Sequence, residues 1–169
     1  LFDSLYSDCP AQYAKKDETP SVAWDDVKTT LKDLDTSKLH YILTQVKEPN
    51  LIVIDFDIKD PVTGEKSYDL NYAAASKWPK TYAELSKSGK AIHLHYIYNG
   101  DVSQLSRIYD EHIEIKVFTG KSSLRRALTL CNDISIATIN SGLPLKEEKK
   151  MVTESIIKDE KHLRAKIIK

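Results

Sequence analysis

The chain has 169 residues, 25 Lys and Arg against 25 Asp and Glu, and no net charge. That is the size of one ordinary domain with its own core, and its neutral balance excludes a generally basic nucleic-acid coat, so any contact with nucleic acid must come from a local patch. Two distant cysteines, Cys9 and Cys131, cannot supply a four-cysteine zinc site and argue against a disulfide-stapled secreted domain, while no apolar run reaches membrane-spanning length.

The first twenty residues are polar and read as irregular. Trp24, Val27, Leu31 and Leu34 then recur at helical spacing and predict a helix over that stretch. An apolar segment from Leu39 to Val46 ends at the turn signal Glu48-Pro49-Asn50. Next comes Ile52-Val53-Ile54-Asp55-Phe56-Asp57-Ile58, a period-two strand with Ile52, Ile54, Phe56 and Ile58 on one face and Asp55 and Asp57 on the other. Tyr72 to Leu85 reads as a helix interrupted at Trp78-Pro79. Ser88-Gly89-Lys90 precedes a strand, Ala91 to Tyr98, in which His93 and His95 share a face. After Asn99-Gly100-Asp101, Ile113 to Phe118 forms a third strand with Glu114 and Lys116 outward, followed by the basic turn Gly120 to Arg126. Ile134 to Ile139 reads as a further strand, and 146–169 as a charged, helix-prone segment. No repeat or linker divides the chain, so 1–169 reads as one α+β domain. It opens at Leu1 rather than Met and reads as excised from a larger protein. With no signal peptide, an intracellular, cytoplasmic setting without membrane contact is the expectation.

Two carboxylates side by side on a strand repel unless a cation lies between them. One reading of Asp55 and Asp57 is therefore a site for Mg²⁺ or Mn²⁺, which prefer hard oxygen ligands; the other is an acidic face on a half-exposed edge strand. Without metal, removing one of the two would leave stability unchanged or slightly raised. If the three strands are neighbours, Asp55, Asp57 and Glu114 share a face with His93, His95 and Lys116. Such a carboxylate trio beside His and Lys is suited to phosphoryl or nucleotidyl transfer. Ser88-Gly89-Lys90 is either a phosphate grip or the cap of a helix C-terminus. Lys87, Lys121, Arg125 and Arg126 are candidate groove residues for a single strand of nucleic acid, or an ordinary basic surface turn. The spacing of a nucleotide-hydrolase phosphate loop is absent.

Asp55-Phe56-Asp57, then Ala91-Ile92-His93 preceded by Ser88-Gly89, then Glu114 within Ile113-Glu114-Ile115-Lys116, resembles the motif series of the archaeo-eukaryotic primase superfamily. The wording of 88–126 is most similar to the phage primase-polymerase domains commonly fused to a replicative helicase. The resemblance spans Leu51 to Arg126 and, more loosely, Ile134 to Pro144. It implies a core with an antiparallel sheet like that of RNA-recognition motifs, flanking helices and a small α/β module. It also implies template-directed nucleotidyl transfer from NTP or dNTP to a 3′-OH on single-stranded DNA. In that family pattern Asp55, Asp57 and Glu114 hold two Mg²⁺ or Mn²⁺ ions and His93 contacts the triphosphate, with Ser88, Lys90 and Lys116 nearby. No zinc is expected, a departure from members with a zinc-binding insertion, and Ala91 stands where glycine is common. A helicase in the full-length protein and a host-cell cytoplasm are further implications. Three other readings stay open: a rolling-circle endonuclease using His93-Leu94-His95 as its metal motif, a catalytically silent nucleic-acid-binding module, and a metal-dependent phosphohydrolase.

Overall fold

The computed structural model describes residues 9–35, 37, 42–46, 48–118, 123–126 and 128–146. The fold is α+β: two mostly antiparallel sheets with a single α-helix among the described residues. No described helix is long and apolar enough to cross a membrane.

The larger sheet is built around β3 (Leu51–Phe56) and β5 (Ile92–Tyr98), which pair antiparallel from Leu51 opposite Ile97 to Phe56 opposite Ile92. On the other side of β3 lies β7 (Ile113–Val117), followed outward by the short edge strand β6 (Ile108–Asp110). The far edge of β5 is shared: β4 (Ala83–Leu85) pairs antiparallel with its first half and β9 (Ala137–Ile139) parallel with its second. The smaller sheet has the order β1-β2-β8, from β1 (Ala11–Tyr13), β2 (Ile42–Gln45) and β8 (Ser123–Arg126).

Two cores explain the run Leu-Ile-Val-Ile at the start of β3. Ile52, Ile54 and Phe56 pack with Ile92, Leu94, Tyr96 and Ile115, and with Ala74, Ala75 and Trp78 from α1 (Tyr68–Ala75) and just after it. Leu51 and Val53 point the opposite way, into a second core with Ile42, Leu124 and Phe118. The first half of β3 is thus covered on both sides, as its continuous apolar run requires. At Asp55 the smaller sheet no longer covers the strand, and the outer face opens.

Several expectations are corrected. The region read as a helix from Trp24 to Leu34 holds two single 3-10 turns, Trp24–Asp26 and Leu31–Asp33. Helical spacing there reflects burial of Trp24 and Leu31 at separate points. The stretch read as irregular contains β1, whose buried Gln12 uses its side-chain oxygen to accept from the backbone N–H of Val22 at 2.9 Å. The helix placed at Tyr72 to Leu85 begins earlier, at the N-cap Ser67, and ends at Ala75. Beyond Trp78-Pro79 the chain is extended and becomes β4, since proline lacks the amide donor that a helix needs. The C-terminal helical segment lies outside the described residues except for Lys146.

Candidate active site

Cross-strand register assembles the site. Asp55 is opposite His93 on one side and Glu114 on the other, and His93 is opposite Glu84 on β4. Directly paired residues project to one face, so Glu84, His93, Asp55 and Glu114 form one row across four strands. The neighbouring row is His95, Val53 and Lys116. Asp57 follows the end of β3, where its N–H donates to the carbonyl of His112 at 2.9 Å and carries the pairing one step further.

This face looks into a cleft of about 440 Å³, whose walls include Asp55, Asp57, Lys66, His93, Lys116 and Arg125. A second hollow of about 410 Å³ shares Asp55 and Asp57 and adds Glu114, Arg107 and Lys59. The two carboxylates therefore stand on the ridge between two openings. Asp55 is the more enclosed, with 18% of its side chain exposed. Its Oδ1 is 3.2 Å from His93 Nε2 and its Oδ2 is 3.1 Å from Lys116 Nζ. Burial pushes the Asp55 carboxyl up, but the hydrogen bond and charge of His93, with the Lys116 ammonium, outweigh it and hold the group at about 2. Asp57 is 3.4 Å from Lys66 Nζ, yet that same Oδ1 is shut off from solvent and forms no hydrogen bond. The contact is one of charges only. Glu114 is half-exposed and leans to Arg107 Nε at 3.8 Å.

The other residues singled out in the sequence separate. Ser88 and Lys90 lie on the exposed hairpin turn between β4 and β5, where Gly89 takes φ +76°. The turn is not a helix terminus. Ser86, whose Oγ accepts from the N–H of Ala91 at 3.1 Å, lines the cleft instead of Ser88. Arg125 lines the cleft and pairs with Glu18 at 3.3 Å. Arg126, expected in a nucleic-acid groove, is buried: strand alternation turns it the opposite way from Arg125, and its Nε donates to Glu84 Oε2 at 2.7 Å. His95 is likewise buried, 3.9 Å from the same Glu84 oxygen, and burial pushes its pKa down to about 3. Lys121 lies outside the described residues.

Sequence reasoning missed Glu84, Lys66, Ser86 and Arg107. Glu84 was hidden because its strand was read as helix. Lys66 is brought in by an isolated bridge between Lys59 and Lys66 that no local pattern announces.

The donor set is chemically right for a hard divalent cation: carboxylate oxygens alone, one of them buried without a hydrogen bond. In the present arrangement ammonium groups occupy that role, and among the described residues no three acid, histidine or cysteine ligands converge on one point. Ion binding at Asp55 and Asp57 would require Lys116 and Lys66, both long and half-exposed, to swing aside. No protein-family model matches the chain, and no curated protein matches it.

Proposed function

We propose that the chain is the nucleotidyl-transfer core of a primase-polymerase, acting on single-stranded DNA template with NTP or dNTP. One observation carries this reading. Three motifs far apart in the sequence lie on three adjacent strands in the order β5-β3-β7, with His93, Asp55 and Glu114 side by side on the open face. Under this reading the larger sheet is the RNA-recognition-motif-like part of an archaeo-eukaryotic primase core, and the three-stranded sheet is its small module.

Asp55, Asp57 and Glu114 are the residues that would hold Mg²⁺ or Mn²⁺. Bound there, the metals would lower the pKa of a primer 3′-OH and neutralise the departing pyrophosphate. The protein's own task is positioning. His93, Lys116, Lys66 and Arg125 place imidazole, ammonium and guanidinium groups around the cleft, matching the charge of a triphosphate. Lys116 and Lys66 would move from carboxylate to phosphate as substrate enters, so charge stays balanced throughout. On the adjoining hairpin Ser86 and Ala91 line the opening, while Ser88 and Lys90, on the exposed turn between them, would reach a substrate only by extending toward it.

The endonuclease alternative needs both histidines on one metal. Burial of His95 beside the Glu84 carboxylate, away from the cleft, weighs against it. A helicase elsewhere in the full-length protein and a cytoplasmic setting belong to the same proposal.

Incubation of the protein with Mn²⁺, a primed template and labelled dNTP or NTP tests it. Incorporation is expected from the wild type and none from Asp55→Ala or Asp57→Ala. Failure of the wild type with both nucleotide types would remove the proposal, and a covalent protein–DNA adduct would transfer it to the endonuclease.

A further inference from the structure

Three aromatic side chains stand among the exposed large hydrophobics of the described residues: Tyr68 and Tyr72 on α1, and Tyr109 on β6. The core does not account for them. The buried residue of α1 is Asn71, which accepts from the N–H of Ile58 at 2.7 Å and donates to the carbonyl of Lys90 at 2.9 Å, fixing the helix with its tyrosines outward. Tyr68 and Tyr72, with ring centroids 5.8 Å apart, wall a hollow of about 490 Å³ floored by Leu85, Ile92 and Leu94. Trp78 and Pro79 border this hollow and also the next, of about 620 Å³, where Tyr109 lies 5.0 Å from Trp78. That second hollow shares Asp110 and Ile113 with the opening that reaches Asp55 and Asp57. The first two hollows meet at Trp78 and Pro79 and form one trough on the helix side of the larger sheet; its far end reaches the sheet edge at Asp110 and Ile113, around which Asp55 and Asp57 lie on the opposite face.

The trough's chemistry narrows its occupant. Polar groups on its floor are already engaged: Asn132 accepts from the N–H of Ala83 and donates to the carbonyl of Thr81, each at 2.9 Å, and the Thr81 hydroxyl accepts from the N–H of Ala137 at 2.9 Å. A small polar ligand read by directed hydrogen bonds therefore finds few partners in the first hollow. What is offered is ring faces, apolar floor, the rim groups Asp110, Asn140 and Ser141 of the second hollow, and two ammonium groups, Lys80 in the first hollow and Lys77 in the second. Neither lysine is paired with a carboxylate among the described residues. Flat apolar surfaces alternating with cations match the alternation of base and phosphate along a strand.

We propose that this trough binds a single strand of nucleic acid, with bases stacked on Tyr72 and Tyr109 and phosphates at Lys80 and Lys77. Its role as the template path rests on the nucleotidyl-transfer reading; strand binding itself does not.

The test is fluorescence anisotropy with a labelled oligothymidylate of about 15 nucleotides, in EDTA so that no chemistry or metal contributes. Wild type should bind, and Tyr72→Ala and Tyr109→Ala should each weaken binding about tenfold or more, by loss of one stacked base. Tyr72→Phe and Tyr109→Phe should stay within about twofold of wild type, which separates stacking from misfolding. Lys77→Ala and Lys80→Ala should each reduce the slope of log affinity against log salt by roughly 0.7. Unchanged affinity in both Tyr→Ala variants overturns the proposal and leaves the trough to another partner, a protein included; absence of wild-type binding also overturns it. Asp55→Ala should bind as wild type does. If wild type fails to extend primers but the tyrosine variants lose binding, the catalytic reading falls and the trough stands. If wild type extends and the variants bind normally, the reverse holds.

Discussion

Glu84 and Asp55 flank His93 in one cross-strand row, yet they live under opposite conditions. Glu84 is sealed between the two sheets, with Arg126 Nε at 2.7 Å and the Tyr82 hydroxyl donating at 2.8 Å. Asp55 stands at the mouth of the cleft, and its cation is Lys116, on a long stem 44% exposed. Arginine's planar fork fits a permanent, dry pair, whereas a single ammonium on a flexible chain can leave. The smaller sheet makes the difference. It covers Val53 and His95, supplies Arg126 to Glu84, and stops one residue pair short of Asp55. The same residue types two strands apart in one row thus become a fixed joint in one place and an exchangeable charge site in the other.

The comparison breaks first at Arg126. Arg126→Met leaves the Glu84 carboxylate buried without its main cation, and a loss of about 3–5 kcal/mol in unfolding free energy is expected by chemical denaturation. The double variant Glu84→Leu with Arg126→Met should recover most of it, because the cost lies in the stranded charge. A single-variant loss under about 1 kcal/mol would mean the joint does not hold the sheets together.

Acid titration separates the two regions next. His95 is kept neutral by burial, aided by the charge of Arg126 and opposed by Glu84, with its pKa near 3 against an ordinary 6.5. The unfolded chain therefore binds a proton that the folded chain refuses, and stability falls as pH drops below 6.5. Replacing His95 with Gln should flatten that limb by roughly 3 kcal/mol between pH 6.5 and 4. Asp55 acts in a lower window. Its stabilising effect is complete above its ordinary 3.8 and disappears as pH falls toward 2, so Asp55→Asn should remove about 2 kcal/mol of pH dependence there. Urea midpoints measured in EDTA across pH 2 to 7 check both; coincident windows for the two variants would refute the assignment. This also reverses the expectation that deleting one carboxylate relieves repulsion. His93 and Lys116 already neutralise Asp55, so Asp55→Ala should destabilise the metal-free protein.

The open half of this site was legible in the sequence because strand alternation is local: Asp55, His93, Glu114 and Lys116 all fall on the face that period two assigns them. The sealed half was not. Leu51 and Val53 share the face of Asp55, but nothing in that strand says a second sheet covers them. The sheet doing so draws β1, β2 and β8 from segments more than a hundred residues apart at the extremes, and β1 and β8 are only three and four residues long. Arg125 and Arg126 read alike as surface cations until the pairing of β8 with β2 turns one outward and the other inward. β4 was hidden differently: Tyr72 to Leu85 has enough helix formers to mask a three-residue strand beyond Pro79, and with it Glu84.

The smallest effect is the most pointed test of exchangeability. Lys116 Nζ lies 3.1 Å from Asp55 Oδ2, so an ion arriving at that oxygen must first displace the ammonium. Lys116→Met removes the competitor while keeping the apolar stem that lies along the sheet. Mn²⁺ affinity, followed by electron paramagnetic resonance of the free ion, should then rise about three- to tenfold, equivalent to roughly 0.7–1.4 kcal/mol. Triphosphate affinity should fall in the same variant, since the group that greets the phosphates is gone, and its salt dependence should weaken. Arg126→Met should show neither change, because its guanidinium faces Glu84 inside the joint. Unchanged or weaker Mn²⁺ binding by Lys116→Met would mean that the Asp55–Lys116 pair is as fixed as the Glu84–Arg126 pair, and the distinction between the two regions would fail at its most exposed point.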